Sequence, residues 1–491
     1  MAATTGLSHG VPRDIALVND LLSRGGENNC TEFKRDNENE DMIGKLVSAL
    51  ANSARIEDQS LAYIVWGVED SSHSITGTTF NPALKRVGNQ VFEFWLANIL
   101  QPSPNFSFRV VDHPQGRVVL CEISSATSAP VAFKGTPYVR IGSATPPLLD
   151  HPDRYQKLIH NLRPFVWEKG IAKSYINADE VLTLLDYPQY FSLTNQPLPD
   201  SKSGILERLA SDQLILRDVG SAWNISNLGA MLFGRDITQF DTALSRKAVR
   251  FVAYEGKNKT STVTHRHDGR RGYAAGFEGL ISYINGLLPT NEHIGAAFRQ
   301  SRPLFPEIAI RELIANALIH QDMTISGAGP LIELFQDRLE ITNPGKSLIP
   351  QERMIDLPPR SRNEMLGSLM RRMGICEEQG SGLDKVIGSL EVYQLPPLKI
   401  HSADSTQVIL YGPRTFAEMT RSERVQACYQ HAVLKWLSGE KMKNSTLCER
   451  FGIERHNAAQ VTQVLNAALA EKLIKIADPE HPRAGYVPIW A

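Results

Sequence analysis

Two carboxylates and a lysine stand close together near the start of the chain, in the run ENNCTEFKRD. Glu27 opens this run, and Glu32 and Lys34 are separated by one residue. If the run forms a strand, Glu32 and Lys34 point to one face and Phe33 to the other, because strand side chains alternate. Carboxylates of this kind hold Mg²⁺ or Mn²⁺, and a nearby lysine steadies an attacking water or a charged phosphate. The spacing therefore favours metal-assisted phosphodiester cleavage.

A third acid, Asp70, follows the apolar run YIVWGV and is available to join the first two. The same residues also allow a purely structural interpretation. Glu27 could cap a helix, and Asp70 could close a turn before Ser71. Lys34 and Arg35 could contact a phosphate backbone without catalysing anything. The residues alone leave both interpretations open.

Size and composition bound the class of protein. The chain has 491 residues, of which 42% are hydrophobic, so three or four domains with buried cores are expected. The net charge of −1 provides no global basic field, so contacts to nucleic acid must come from a local patch. The five cysteines form no CxxC pair, which fits a reducing compartment. No signal-like or membrane-length apolar run is found, and we expect a cytoplasmic protein that contacts no membrane.

The positions that the elements must supply divide the chain into four blocks: 1–150, 151–227, 228–415 and 416–491. In the first block, a helix over 39–53 and strands such as 61–68, FSFRVVDH, RVVLCEIS and YVRIGS indicate an α/β domain. The second block reads as a helical or winged-helix-like connector. We therefore predict a multidomain protein of mixed α/β and α+β class.

Several motifs of the first block occur in a fixed order: ENNCTEFKRD, a helix ending in SALANS, IVWGVED, and PYVRIGSATPPL. Over residues 20–150 this set resembles the Schlafen AlbA_2 family. The resemblance implies either a metal-dependent RNA-cleaving site or a nucleic-acid-binding module. It carries Glu27, Glu32 and Asp70 over as the acids and Lys34 as the lysine. One departure is the longer SARIEDQS, where relatives usually have a Gly-Gly turn.

Other basic residues of this block are candidate contacts to nucleic acid. Arg140, in YVRIGS, could bind phosphate or could be a surface arginine on an edge strand. Lys134 and Arg35 are further candidates for the same contact.

In the third block, the helix AIRELIANALIH places Glu312 and Asn316 four residues apart and hence on one face. GHKL-type ATPases use this arrangement: the glutamate orients water, and the asparagine oxygen helps to hold Mg²⁺ against the triphosphate. Asp337 has the character to accept a hydrogen bond from an adenine amino group. Glycines would allow backbone approach and open a helix towards phosphate; they are Gly345, Gly380 and Gly382.

The segments RELIANALIHQD, DRLEITNPG, PRSRNEMLGSLM and EEQGSGLDKV together closely resemble the RecG-related GHKL-like ATP-binding domain, which follows AlbA_2 in many bacterial proteins. The match covers about 228–412 and implies an α/β sandwich that binds ATP. It does not imply a helicase, because the chain has no GxxxxGK[ST] phosphate loop. Asp337 lacks the usual following GxG, and Arg360 and Arg362 could bind phosphate or fasten a loop. GHKL proteins often dimerise, so we expect a homo-oligomer.

The last block has the order of a winged helix: three helices and a hairpin made by KLIKIA and YVPIW. In a DNA reader, the start of the third helix faces the major groove, which here presents Arg455, Asn457 and Gln460. A protein-contact winged helix is the alternative, since the charge of this block is mixed.

Two functions follow from these features. The first is an ATP-gated, metal-dependent nuclease directed at RNA, suited to phage defence. The second is an ATP-responsive DNA-binding transcriptional regulator without nuclease activity. The three acids discriminate between them, since a pure binder has no need of carboxylates that repel phosphate.

Overall fold

The structure is a computed structural model that describes residues 11–23, 27–69, 72–162, 166–218, 220–288, 290–294, 299–377 and 382–491. The chain forms two units. The first takes the described part of Met1–Val166 together with Tyr175–Asn177 and Arg217–Trp223, and the second takes Trp167–Ser174, Ala178–Leu216 and Asn224–Ala491. Two residues of the predicted sites, Asp70 and Gly380, lie outside the described residues.

The first unit is a mixed α/β domain. Its elements are α1 Val11–Ser23, β1 Thr31–Lys34, α2 Glu40–Ile56, β2 Leu61–Trp66, β3 Arg86–Val87, β4 Gln90–Val91, α3 Phe92–Ile99, β5 Leu100–Gln101, β6 Phe106–His113, β7 Gly116–Ser124, β8 Ala132–Phe133, β9 Thr136–Pro137 and α4 Pro152–Asn161. Four strands form a sheet in the order β1–β2–β7–β6, with β1 parallel to β2 and the other pairs antiparallel.

Helix α2 organises the core of this unit. It begins after Asn39, whose side chain accepts a hydrogen bond from the backbone of Met42. Its apolar residues recur at helical spacing and are buried against the sheet. The core cluster joins Ile43, Val47 and Leu50 of α2 to Ile64 and Trp66 of β2 and to Val119, Cys121 and Ile123 of β7.

The same helix carries a buried polar stripe that holds the segment 131–140. Asn52 donates to the carbonyl oxygens of Val131 and Tyr138, at 2.9 and 2.8 Å, and accepts from the Val131 amide at 2.8 Å. Ser48 donates to Val131 O, and Ser53 accepts from the backbone of Arg140 at 2.8 Å. Since this segment has little regular structure, these side chains supply the bonds that a strand partner would otherwise supply.

The second unit follows in chain order. Its elements are β10 Ile171–Ile176, α5 Ala178–Leu184, α6 Tyr187–Leu193, α7 Lys202–Ser211, β11 Ile215–Arg217, β12 Trp223–Ser226, α8 Asn227–Phe233, α9 Thr242–Ser245, β13 Arg250–Tyr254, β14 Val263–Asp268, α10 Tyr273–Leu287, β15 Thr290–Ile294, β16 Arg299–Pro303, α11 Glu307–His320, β17 Leu331–Leu334, β18 Arg338–Pro344, α12 Glu364–Arg372, α13 Gly382–Val392, β19 Lys399–Ser402, β20 Ser405–Tyr411, α14 Arg421–Leu437, α15 Asn444–Phe451, α16 Ala458–Ala470, β21 Ile474–Ile476 and β22 Tyr486–Pro488.

A six-stranded sheet in the order β14–β13–β17–β18–β20–β19 forms the centre of this unit, with β13 parallel to β17 and the other neighbours antiparallel. Helix α11 packs against β18 and also contacts α10 and α13. Because strand side chains alternate, Leu339, Ile341 and Asn343 of β18 share one face. All three are buried. The arrangement is an α/β sandwich, as the sequence predicts.

The prediction of a mixed α/β multidomain protein is confirmed, and several elements lie where the sequence places them. One difference concerns YVRIGS, residues 138–143, which forms isolated bridges to 144 and 147 and not a strand. The boundaries of the four predicted blocks stay a prediction. Within the described residues, no helix has both the length and the apolar character needed to cross a membrane.

The polar stripe of α2 can be tested with Asn52→Leu. The substitution leaves Val131 N and Tyr138 O buried without partners, so we expect the free energy of unfolding to fall by roughly 2–4 kcal/mol. Urea unfolding measures this change. The exposed amide of Gln59 provides the matched control, and Gln59→Leu should change stability by no more than about 0.5 kcal/mol. Equal effects of the two variants would show that the stripe is not needed.

Candidate functional site

Strand β1 presents Glu32 and Lys34 on one face of the sheet of the first unit. In the parallel pairing, Glu32 lies opposite Ile64 and Lys34 opposite Trp66, both members of the core cluster under α2. Phe33 points to the opposite face and is fully buried. The alternation expected from the sequence is therefore present in the structure.

Two acids and two cations meet at this place, which we call the acid–base cluster: Glu27, Glu32, Lys34 and Arg140. The Lys34 Nζ lies 2.6 Å from Glu32 Oε1 and 3.7 Å from Glu27 Oε1. The Arg140 guanidinium contacts Glu32 Oε2 and lies 3.5 Å from Glu27 Oε2. Glu27 also accepts a hydrogen bond from the Phe33 amide. The cluster is thus compact, and its formal charges balance.

Burial sets the electrostatics of the acid–base cluster. Glu32 is 2% exposed and Arg140 only 1%. Burial raises the pKa of Glu32, although the neighbouring Lys34 and Arg140 act in the opposite direction. The Glu32 Oε2 atom lies against the guanidinium, yet its geometry makes no hydrogen bond. A buried carboxylate oxygen without a hydrogen bond is suited to a further cation.

Arg140 does not occupy the exposed edge-strand position that the sequence suggested. Its guanidinium donates to Ser143 O at 2.9 Å and to Thr145 Oγ1 at 3.0 Å, and its backbone is held by Ser53. The reason is that YVRIGS is a loop folded inward against α2 and not a surface strand. In this position Arg140 compensates Glu32 and is not displayed to a phosphate backbone.

The other predicted contacts to nucleic acid in this unit are at the surface. The side chain of Arg35 is 66% exposed and lies 3.3 Å from Glu69. Lys134 is half exposed and pairs with Asp41 at 2.7 Å. Both positions are accessible to a phosphate backbone.

Glu27 and Glu32 supply the hard oxygen atoms that Mg²⁺ and Mn²⁺ prefer, so the donor set fits part of such a site. The predicted third acid, Asp70, lies outside the described residues. Elsewhere in the described chain, too, no three side chains of histidine, cysteine, aspartate or glutamate come together as a metal site would require.

The acid–base cluster predicts the effect of Arg140→Met. Removal of the guanidinium leaves Glu32 buried with one cation fewer, so we expect a loss of about 3–5 kcal/mol in the free energy of unfolding. In the double variant Glu32→Leu/Arg140→Met, the loss should be smaller than the sum of the two single losses. Chemical denaturation of the four proteins measures the coupling. Additive losses would mean that the two residues stabilise the unit independently.

A second site is a pocket in the second unit, between α11, α13 and the six-stranded sheet. On its helix side, Glu312 and Asn316 of α11 both line the pocket, as their spacing predicts. The carboxylate of Glu312 accepts a hydrogen bond from the Glu377 backbone, while burial and the charge of Glu377 raise its pKa. Gly382, the first residue of α13, also lines the pocket. A Cβ there would lie 2.5 Å from Glu312 Oε2, so only glycine leaves room for this carboxylate.

On its sheet side, the pocket presents Asn343 of β18 and Thr406 of β20, which are register partners. Asn343 is 5% exposed, and the Thr406 hydroxyl donates to Gly345 O at 2.9 Å. Apolar side chains complete this surface, among them Ile400 and Val408. The result is a flat apolar wall with polar atoms at its edge, which suits a heterocyclic base.

Two further predicted residues lie elsewhere. Asp337 sits in the turn between β17 and β18, where it pairs with Arg338 at 3.0 Å, and it is not part of the pocket lining. Gly345 has a φ of +94°, and a Cβ there would lie 2.6 Å from the Asp322 side chain. Its close approach is therefore made to Asp322 and not to a ligand. Gly380 lies outside the described residues.

Arginine side chains give the pocket its positive charge. Arg360 and Arg362 line it as considered from the sequence, and Arg371 of α12 joins them. Arg362 is partly compensated by Asp322, 3.5 Å away. Sequence reasoning missed Arg371, Thr406 and Asn343. Only Asn343 carried a usable signal, because it follows Leu339 and Ile341 at the strand period of two.

The C-terminal block has the three helices and the antiparallel β21–β22 pair expected of a winged helix. Arg455, Asn457 and Gln460 are all exposed around the start of α16. The structure thus leaves these three side chains accessible, as a DNA-reading helix would require.

Comparison with known proteins identifies both units. Residues 27–148 match the family described as "Schlafen, AlbA_2", and residues 327–410 match "Putative ATP-dependent DNA helicase recG C-terminal". The chain therefore combines an AlbA_2 block with a RecG-related ATPase-like block, and together they indicate an ATP-dependent function related to nucleic acid.

Among solved structures, the DIP2311 protein from Corynebacterium diphtheriae is similar over 97% of both chains, with 15% sequence identity and a TM-score of 0.43. No curated protein matches the chain.

Proposed function

We propose that this protein binds ATP in the pocket of its second unit and, under control of that nucleotide, cleaves RNA with a divalent metal at the acid–base cluster of its first unit. The observation that carries the nucleotide half is the shared pocket of Glu312, Asn316, Asn343 and Thr406. Within one cavity these residues supply the groups needed for water, for Mg²⁺ and for a base.

The base would lie on the sheet side of the pocket. Because the Thr406 hydroxyl already donates to Gly345 O, its oxygen is left as an acceptor. The Asn343 amide stands beside it, with its nitrogen 3.5 Å from Pro344 O. Two acceptor oxygens favour the exocyclic amino group of adenine over the carbonyl oxygen of guanine. We therefore infer ATP and not GTP as the ligand.

The phosphates would lie near the helix side. Arg360 and Arg371 line the pocket and would compensate the triphosphate charge. Asn316 offers an amide oxygen to Mg²⁺, which when bound would neutralise the phosphate oxygens. Glu312, whose pKa is raised by burial and by Glu377, would orient the water that attacks the terminal phosphate.

In the first unit, Glu27 and Glu32 would hold Mg²⁺ or Mn²⁺ with Asp70 as the third acid, and the metal would activate a water and polarise the phosphodiester. Lys34 is 18% exposed and would contact the phosphate that is cleaved. Arg35 and Lys134 are the accessible cations along which a backbone would lie. Conditional RNA cleavage of this kind suits phage defence, and we expect it in the cytoplasm, where five unpaired thiols would stay reduced, and in a homo-oligomer.

A second candidate function is an ATP-responsive DNA-binding regulator without nuclease activity. The observation that favours it is the acid–base cluster itself, in which Lys34 and Arg140 already compensate both described acids. In such a protein the exposed Arg455, Asn457 and Gln460 would read the DNA.

Nuclease activity is tested with Glu32→Gln on labelled tRNA and single-stranded RNA, in the presence of Mn²⁺ and ATP. We expect cleavage to fall by more than roughly 100-fold, because even residues that only support metal ligands cost 10–100-fold when changed. Glu40→Gln, at an exposed glutamate in the same unit, is the control and should cleave like the wild type. Intact RNA in the wild-type reaction would favour the regulator.

Nucleotide binding is tested by titration with a fluorescent ATP analogue. Asn343→Leu keeps the size of the side chain and removes its polar atoms, so we expect roughly tenfold weaker binding, the value of about 1.4 kcal/mol. Asp337→Asn should bind like the wild type, since Asp337 lies outside the pocket. Unlabelled ATP should compete better than GTP. The reverse pattern of the two variants would place the base at the β17–β18 turn.

A further inference from the structure

One wall of the nucleotide pocket is held by the C-terminal block. The wall is the loop 347–362, of which Met354 and Leu357 line the pocket. Tyr429 of α14 is 2% exposed and donates its hydroxyl hydrogen to the carbonyl oxygen of Glu352 at 2.5 Å. The same hydroxyl accepts from the indole nitrogen of Trp490 at 3.1 Å. A buried hydrogen-bond chain thus runs from the C-terminus to the pocket wall.

A cation–π contact reinforces this chain. The Arg353 guanidinium stacks 4.3 Å from the Trp490 ring centre. Arg353 is oriented by a bidentate pair with Asp356 on the same loop, at 2.6–3.0 Å. We call Arg353, Tyr429 and Trp490 together the wall clamp. Its three members come from both ends of the C-terminal block and from the centre of the wall.

The C-terminal block is also fixed to the opposite side of the pocket. Glu391, near the end of α13, pairs with His431 at 2.9 Å and with the buried Arg450 at 3.3 Å. The Gln430 amide donates to Leu398 O and accepts from Leu398 N, at 2.7 and 3.2 Å. Since α13 begins at Gly382 in the pocket, the block touches the elements on both sides of the space that a nucleotide would fill.

We propose that the wall clamp couples nucleotide occupancy of the pocket to the C-terminal winged helix. The inference rests on the proposed function, because it requires a nucleotide in the pocket. A ligand that draws the wall towards α11 must either break the buried bonds of Tyr429 or carry α14 and Trp490 with it. Because α13 holds the same block through Glu391, the clamp registers the distance between the two sides. By linkage, a ligand gripped by the winged helix changes nucleotide affinity by the same factor.

Hydrogen exchange measured by mass spectrometry on the full chain, with and without Mg²⁺–ATP, tests the coupling. In the wild type, we expect nucleotide to slow exchange in peptides of the wall and, at the same time, in peptides that contain 425–433 and 486–491. In Tyr429→Phe, the nucleotide should still bind and protect the wall, but the protection of the C-terminal peptides should fall at least threefold. Trp490→Phe, which keeps the ring and removes the N–H donor, should act in the same direction.

The matched control is Tyr486→Phe, since Tyr486 lies in the same block and none of its described bonds reaches the wall. This variant should behave like the wild type. C-terminal protection that is unchanged in both Tyr429→Phe and Trp490→Phe would overturn the clamp, as would a wild type in which ATP protects the wall alone. These outcomes leave ATP binding intact, whereas a wild type that binds no nucleotide would remove the proposed function and the inference together.

Discussion

A buried guanidinium must be compensated by a carboxylate, and this constraint shapes both units. Transfer of a charge out of water costs several kcal/mol unless a partner and further hydrogen bonds accompany it. Arg140 meets Glu32 and donates to Ser143 O, and Arg450 meets Glu391 and donates to Leu395 O. In each case one buried cation fixes a loop that has no strand partner. The acid–base cluster and the attachment of the winged helix both depend on such a pair.

Two glycines of the nucleotide pocket show a related constraint at closer range. A Cβ at Gly382 would meet Glu312 Oε2 at 2.5 Å, and a Cβ at Gly345 would meet the Asp322 side chain at 2.6 Å. These glycines therefore make room for carboxylates of the protein itself. The carboxylate of Glu312 can then face the pocket while α13 passes directly beside it. Close backbone approach is used here to position an acid and not to admit a ligand.

Local periodicity predicted those features that depend on one element. The shared face of Glu32 and Lys34 follows from strand alternation, and the shared pocket of Glu312 and Asn316 follows from helical spacing. Features made by distant segments could not be predicted in this way. Arg140 was placed on an edge strand because YVRIGS has a strand-like pattern, whereas Ser53 and Thr145 hold it inside. Nothing near Thr406 or Arg371 in the sequence marks them as pocket residues.

The balance of charge in the acid–base cluster bears on how a metal-dependent nuclease could work. Lys34 and Arg140 are not equivalent, because Arg140 is held by two further acceptors, whereas the Lys34 side chain is partly exposed and its other recorded bond goes to the Phe33 carbonyl. A divalent cation arriving at Glu27 and Glu32 would therefore displace the lysine and leave the arginine in place. The released ammonium would then stand beside the metal, where it could meet the phosphate of the substrate. In the resting protein, the same lysine lowers the cost of holding two carboxylates together without a metal.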